Sequence, residues 1–199
     1  PVAIYLKDYQ APDYLIDQTH LSFELFDDHA LVHSRLQMRR NPELDNSLPA
    51  LRLDGQELEL QSIAVNGEAL KAEEYRVDQD SLTLLSPPAE FELTITVRIY
   101  PAQNTALEGL YQSGKMFCTQ CEAEGFRKIT YYLDRPDVMS RFTTRVEAEQ
   151  SRYPVLLSNG NLIQQGANGS RHWVEWEDPF PKPAYLFALV AGDLWCVED

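Results

Sequence analysis

Residues 91–100 read FELTITVRIY, and every second side chain, Phe91, Leu93, Ile95, Val97 and Ile99, is large and apolar. A strand sends alternate side chains to opposite faces, whereas a helix would scatter these five around its axis. The stretch is therefore predicted to be a strand with one face in a core. The same period of two recurs outward along the chain. LSFEL repeats it with Leu21, Phe23 and Leu25, and ALVHSRLQM with Ala30, Val32, Leu36 and Met38. HWVEWED (172–178) divides Trp173, Val174 and Trp176 between two faces. Shorter runs of the same kind are LELQSIAV (58–65), YRV (75–77), SLTLL (81–85), RFTTRVEAE (141–149), YPVLLS (153–158) and YLFALVAG (185–192).

Between these runs lie Asp54-Gly55, Asn66-Gly67, Asn159-Gly160 and Asn168-Gly169, pairs that suit the positive φ angles of tight hairpins. Many short strands with such punctuation predict an all-β fold, an antiparallel β-sandwich. Helix signals are confined to DRPDVMSRF (134–142), where Asp134 near the start and Pro136 in the first turn predict about two turns. PFPKPAY, with Pro179, Pro181 and Pro183, reads as a rigid extended loop brace. With 199 residues, 44% of them hydrophobic, the chain can bury one sizeable core, and no repeat or flexible linker divides it.

The net charge of −14 argues against nucleic acid, which requires a basic surface to displace counterions. No apolar run is long enough to span a bilayer, and PVAIYLKDYQAPDY at the start has charges and prolines where a signal peptide is apolar. The expectation is a chain without membrane partners, in the cytoplasm. Three cysteines do not make a disulfide framework and fit a reducing compartment. Cys118-x-x-Cys121 is half of a zinc ribbon, but only Cys196 remains as a further thiol, so ordinary reduced thiols are expected. His29 and His33 would stand about 13 Å apart on a strand, too far to share one zinc. There is no His-Glu-x-x-His, no phosphate-cradling glycine loop and no Gly-x-Ser-x-Gly elbow. No complete catalytic set is expected within these residues, and no metal is expected to be bound by them.

TQCEAEGFR (119–127) stands out. Continued as a strand, it would place Gln120, Glu122 and Glu124 on one face, with Cys121 and Ala123 packing inward and Gly125 ending the run. Ionised carboxylates and an amide oxygen form an acceptor face suited to a cationic donor such as an α-ammonium. α-Amines lose their proton near 7.7–8 and carboxylic acids near 4, which leaves a wide window in which both partners are charged. A solvated acidic strand edge would look the same in sequence.

At this point the sequence resembles a known family. NTALEGLYQSG (104–114), CTQCEAEGFRKITYYLDRPDVMSRFTT (118–144), YPVLLSNGN (153–161) and WEDPFPKPAYLFALVAGD (176–193) are similar to the N-terminal domain of the bacterial aminopeptidase N family, the zinc-dependent gluzincin aminopeptidases. The likeness covers nearly the whole chain and is strongest from Asn104 to Asp193. It implies a saddle-like β-domain, residues 1–199, at the N-terminus of a larger zinc aminopeptidase that removes N-terminal residues from peptides. The zinc and its motifs, Gly-x-Met-Glu-Asn and His-Glu-x-x-His, would belong to a catalytic domain beyond these residues. The family's Gln-x-Glu signature matches Gln120-Cys121-Glu122. The match implies that Glu122 contacts the substrate's free amino group and that Gln120 shapes the pocket for the first side chain. Glu124 gains no such role, and Arg127 and Asp134-x-Pro136 match positions that look structural. One departure is TYYLDRP (130–136), where many members carry Phe-Pro-Cys; it leaves the Gln-x-Glu pair untouched.

Two other readings compete. A carbohydrate-binding β-sandwich would stack sugars on Tyr131, Tyr132, Trp173 and Trp176, and a glycosidase would use Glu122 and Glu124 as its pair. A docking domain would expose an unusually apolar patch.

Overall fold

The structure, a computed structural model, describes residues 7, 9–44 and 49–197. The segment 1–14, read above as unlike a signal peptide, falls partly outside them. Among the described residues the chain forms three sheets. The largest has eight strands. In spatial order they are β13 (Asn161–Asn168), β14 (Arg171–Lys182), β11 (Ser140–Glu149), β1 (Tyr14–Leu25), β2 (Ala30–Arg40), β8 (Glu90–Ile99), β4 (Glu59–Val65) and β5 (Glu68–Ala69). A four-stranded sheet runs β12 (Val155–Ser158), β15 (Leu189–Gly192), β10 (Met116–Gln120) and β9 (Gly109–Ser113). A three-stranded sheet runs β3 (Leu51–Asp54), β7 (Ser81–Leu84) and β6 (Tyr75–Val77). Among the described residues helical structure is limited to short 3₁₀ turns, and no described helix is long and apolar enough to cross a membrane.

The alternation in β8 holds throughout. Phe91, Leu93, Ile95, Val97 and Ile99 are all buried while the residues between them face outward. Leu21, Phe23 and Leu25 of β1 and Ala30, Val32, Leu36 and Met38 of β2 join the same core. Hydroxyls within this core are satisfied by one another: Thr19 Oγ1 shares hydrogen bonds with Tyr132 OH and Ser140 Oγ, each 2.8 Å long. A buried polar group left without such a partner would be costly.

Three local expectations need correction. The large sheet is not wholly antiparallel, because β1 pairs with β11 in parallel from Gln18 opposite Arg141 to Glu24 opposite Glu147. A parallel pair needs a long crossover, and here the chain forms, among other strands, the whole three-stranded sheet and β9 and β10 of the four-stranded one between the two. DRPDVMSRF forms no helix. Val138 N–H closes a turn on Arg135 O at 3.2 Å, Asp134 faces inward and β11 starts at Ser140. Pro179 and Pro181 lie inside β14, not in a loop. The partner β13 reaches only as far as Glu177, so beyond it β14 is an edge, where proline removes no ladder hydrogen bond.

The glycine pairs also divide. Asn66 (φ 52°) and Gly67 (φ 81°) make the β4–β5 hairpin turn as expected. Gly55 is different: a Cβ there would lie 2.2 Å from Tyr131 Cδ1, so it is required by close packing and forms no hairpin.

Candidate functional site

β10 carries Gln120 as its last residue. Its end is tied to β15 by Thr119, whose Oγ1 accepts from Leu189 N–H at 2.8 Å and donates to Leu189 O at 3.3 Å. There the extended backbone stops. Residues 122–125 form a turn in which Gly125 N–H donates to Cys121 O at 2.9 Å, and the Glu122–Ala123 peptide is cis. Cys121 and Gly125 are buried, and Glu122, Ala123 and Glu124 arch over them into solvent. The expected strand face of Gln120, Glu122 and Glu124 is therefore replaced by an arch. Cys121 packs inward as read, but Ala123 is exposed.

The reason for the turn is the residue that follows. Phe126 is fully buried, with ring centroids 4.8 Å from Tyr132, 5.4 Å from Phe187 and 6.1 Å from Phe142. Bringing it inward requires the chain to double back, and only glycine fits at 125, since a Cβ there would sit 2.4 Å from Gln120 O. Arg127 locks the far side. Its N–H and Nε donate to Asp134 Oδ2 at 3.1 and 3.0 Å, and its Nη2 to Asp134 O at 3.2 Å. Asp134 is almost wholly enclosed, and burial pushes its carboxyl above the usual range although Arg127 pulls it back.

The two carboxylates of the arch differ. Glu124 Oε1 lies 3.4 Å from Arg127 Nη2. Glu122 is exposed, and its carboxylate has no hydrogen bond or ion pair among the described residues. Gln120, also exposed, donates weakly to Glu122 O at 3.4 Å, which leaves its amide oxygen open. The site thus presents one uncommitted negative charge and one uncommitted acceptor on a turn fixed from below. Arg127 and Phe126 hold that turn in place. Phe126 was not singled out in the sequence, although a glycine directly before an aromatic residue is the signal that could have found it.

The remaining sequence candidates fall elsewhere. Cys118, Cys121 and Cys196 are free thiols, and burial pushes Cys121 up to about 12, where it is a poor thiolate and a poor metal ligand. Among the described residues no group of three His, Cys, Asp or Glu could hold a metal ion. His33 is engaged by Glu24 at 3.0 Å and Thr96 at 3.0 Å. Tyr131 and Tyr132 are buried, and the Arg145 guanidinium covers Trp173 at 3.8 Å, so these aromatics offer no sugar-stacking platform. A groove of about 740 Å³ lies beside the β4–β5 hairpin, lined by Val65, Leu70, Glu74 and Pro88 among others, and shares no residue with the arch.

Comparison with known proteins decides the family, since the Peptidase M1 N-terminal domain model matches residues 13–186. The chain belongs to the Peptidase M1 N-terminal domain family. This M1 domain is 51% identical over 200 residues to aminopeptidase N of Escherichia coli, covering 100% of this chain and 22% of that protein. It is 50% identical over 201 residues to aminopeptidase N of Haemophilus influenzae, covering 99% of this chain and 23% of that protein. It thus spans less than a quarter of the length of these relatives. Among solved structures, Legionella pneumophila aminopeptidase A in complex with aspartic acid superposes with a TM-score of 0.89 at 38% identity, covering 96% of this chain and 22% of that one. The M1 zinc metallopeptidase of Deinococcus radiodurans shares the fold, with a TM-score of 0.77 at 16% identity over 90% of this chain and 42% of that one.

Proposed function

We propose that residues 1–199 are a single β-domain at the N-terminus of a zinc-dependent aminopeptidase that removes N-terminal residues from peptides in the bacterial cytoplasm. In this reading Glu122, with Gln120 beside it, anchors the α-ammonium group of the substrate. The observation that carries it is the unpartnered Glu122 carboxylate on a braced turn. An exposed acid on a flexible loop would lose rotamer and backbone entropy on binding. On this turn much of the backbone ordering is already present before the ligand arrives. The length and identity shared with the aminopeptidases N support the reading.

Among the described residues no group of three His, Cys, Asp or Glu could hold a metal ion, and in this reading the zinc belongs to a catalytic domain of the longer protein. This domain contributes positioning. Holding the ammonium fixes which peptide bond can reach the reacting centre, and only a terminal residue brings an ammonium to hold. A downstream domain of the same protein is the expected neighbour, and the four-stranded sheet has a face suited to it. Leu157, Val190, Cys118 and Tyr111 form one cross-strand row on the face opposite the buried Leu156, Ala191 and Phe117. Leu186 and Trp195 add exposed apolar surface, Trp195 being 96% exposed.

The test is Glu122→Ala in the full-length protein, assayed on aminoacyl-coumarin amides. Loss of a charged hydrogen-bonding partner is expected to lower kcat/KM by roughly 30- to 900-fold. Unchanged kinetics would overturn the assignment.

A further inference from the structure

The register of β9 against β10 brings a second segment to the rim of the arch. Gly109 pairs directly with Gln120, so the loop that ends at Glu108 meets the sheet where the arch begins. Loop and arch are packed with no side chain between them. A Cβ on Gly109 would meet Gly125 O at 2.9 Å and Lys128 Cβ at 2.8 Å, and one on Gly125 would meet Gly109 N at 2.9 Å. The two segments therefore share one foundation.

The loop is also braced internally. Asn104 Nδ2 donates to Glu108 O at 2.6 Å and to Leu110 O at 3.0 Å, closing the loop across its neck. The Glu108 carboxylate meets Lys128 Nζ at 3.3 Å, and the same ammonium lies 3.6 Å from Glu57. On this frame Leu107 adopts φ 58° and is 53% exposed. A left-handed backbone costs an L-residue with a bulky side chain roughly 1–2 kcal/mol, a cost that glycine avoids and asparagine largely avoids. An apolar side chain in water gains nothing in return. A strained, exposed leucine on a braced loop beside the amine anchor is the arrangement of a contact surface for an apolar group.

We propose that the loop Asn104–Glu108 forms a second wall of the site, and that Leu107 contacts the first side chain of the peptide and selects for its size and apolarity. The proposal rests on the reading of Glu122 and Gln120 as the amine anchor and extends it to specificity. Leu107 is a specificity-determining residue; Asn104 and Lys128 act through it as positioning residues.

The experiment measures kcat/KM of the full-length protein on alanyl-, leucyl- and arginyl-coumarin amides for wild type, Leu107→Gly, Leu107→Ala and Glu122→Ala. Leu107→Gly relieves the left-handed backbone, and a thermal melt matching wild type shows that a change in its selectivity is not a folding effect. The expected result is a leucyl-to-alanyl ratio shifted by at least about fivefold in both Leu107 variants, because hydrophobic contacts of one or two methylenes discriminate on that scale. Glu122→Ala falls on all three substrates alike. Unchanged ratios in the Leu107 variants, with Glu122→Ala still crippled, overturn this inference alone. A Glu122→Ala enzyme with normal rates overturns the anchor reading and this inference with it.

Discussion

Two acidic regions of this domain are built on opposite plans. On the outer face of the eight-stranded sheet, several carboxylates are matched within the fold. Glu147 lies between Arg171 at 3.0 Å and Arg145 at 3.3 Å, Asp17 meets Arg39 at 2.9 Å, and Glu24 meets His33 at 3.0 Å. At the arch after β10, Arg127 satisfies the buried Asp134 and reaches Glu124, and no cation is left for Glu122. The lesson is that the net charge of −14 says little about where a ligand binds. In the proposed reading a cation is recruited by a carboxylate whose partner the fold has left out, and its neighbours are neutralised so that the backbone beneath it stays put.

If that contrast is right, removing carboxylates should separate the two roles. The largest effect on stability is expected for Asp134→Ala, which strands the half-buried Arg127 and loosens the turn. Breaking a buried pair by removing one partner costs about 3 kcal/mol or more, read by denaturant melts. A melt unchanged from wild type would mean that Arg127 does not brace the arch. Glu147→Gln on the sheet is expected to cost about 1 kcal/mol at pH 7. Burial pushes Glu147 up, but Arg171 and Arg145 outweigh it and hold the carboxyl below its usual range. A lowered folded pKa means that the stabilisation is present above the unfolded pKa and is lost as pH falls through the folded one. Wild type and variant should therefore converge in acid, and a gap that persists there would refute the ion-pair account. The smallest effects are expected for stability at the arch: Glu124→Gln and Glu122→Ala should each stay within about 0.5 kcal/mol of wild type. Their kinetics should nonetheless diverge, with Glu124→Gln within about twofold and Glu122→Ala far below. Equal kinetic losses would erase the distinction between the partnered and the free carboxylate.

Much of the sheet was legible because one residue decides little there. Phe91 to Ile99 repeat one rule five times, so the face could be read without knowing its neighbours. The arch was not legible from spacing. Gln120, Glu122 and Glu124 obey the same rule on paper, and what ends the strand is the pull of Phe126 into an aromatic cluster assembled from Tyr132, Phe142 and Phe187, each brought from another part of the chain. Local pattern cannot register a contact that only the tertiary fold creates. The missing helix at residues 134–142 has the same origin, since Asp134 turns away from a capping role to meet Arg127. The role proposed for Gln120-Cys121-Glu122 rests on family resemblance; what the geometry adds is that one of the two arch acids is already taken.

The parallel pairing of β1 with β11 has a consequence for synthesis of the chain. Residues 14–25 occupy the middle of the large sheet, yet one of their two neighbours is not translated until residues 140–149. At ordinary elongation rates that is a wait of roughly 6 to 25 s on the ribosome. During it the hairpin of β1 and β2 has an open edge and no completed core to cover Phe23 and Val32. A ribosome stalled before codon 140 should hold a chain that chaperones bind and proteases cut, and release past codon 149 should end both together.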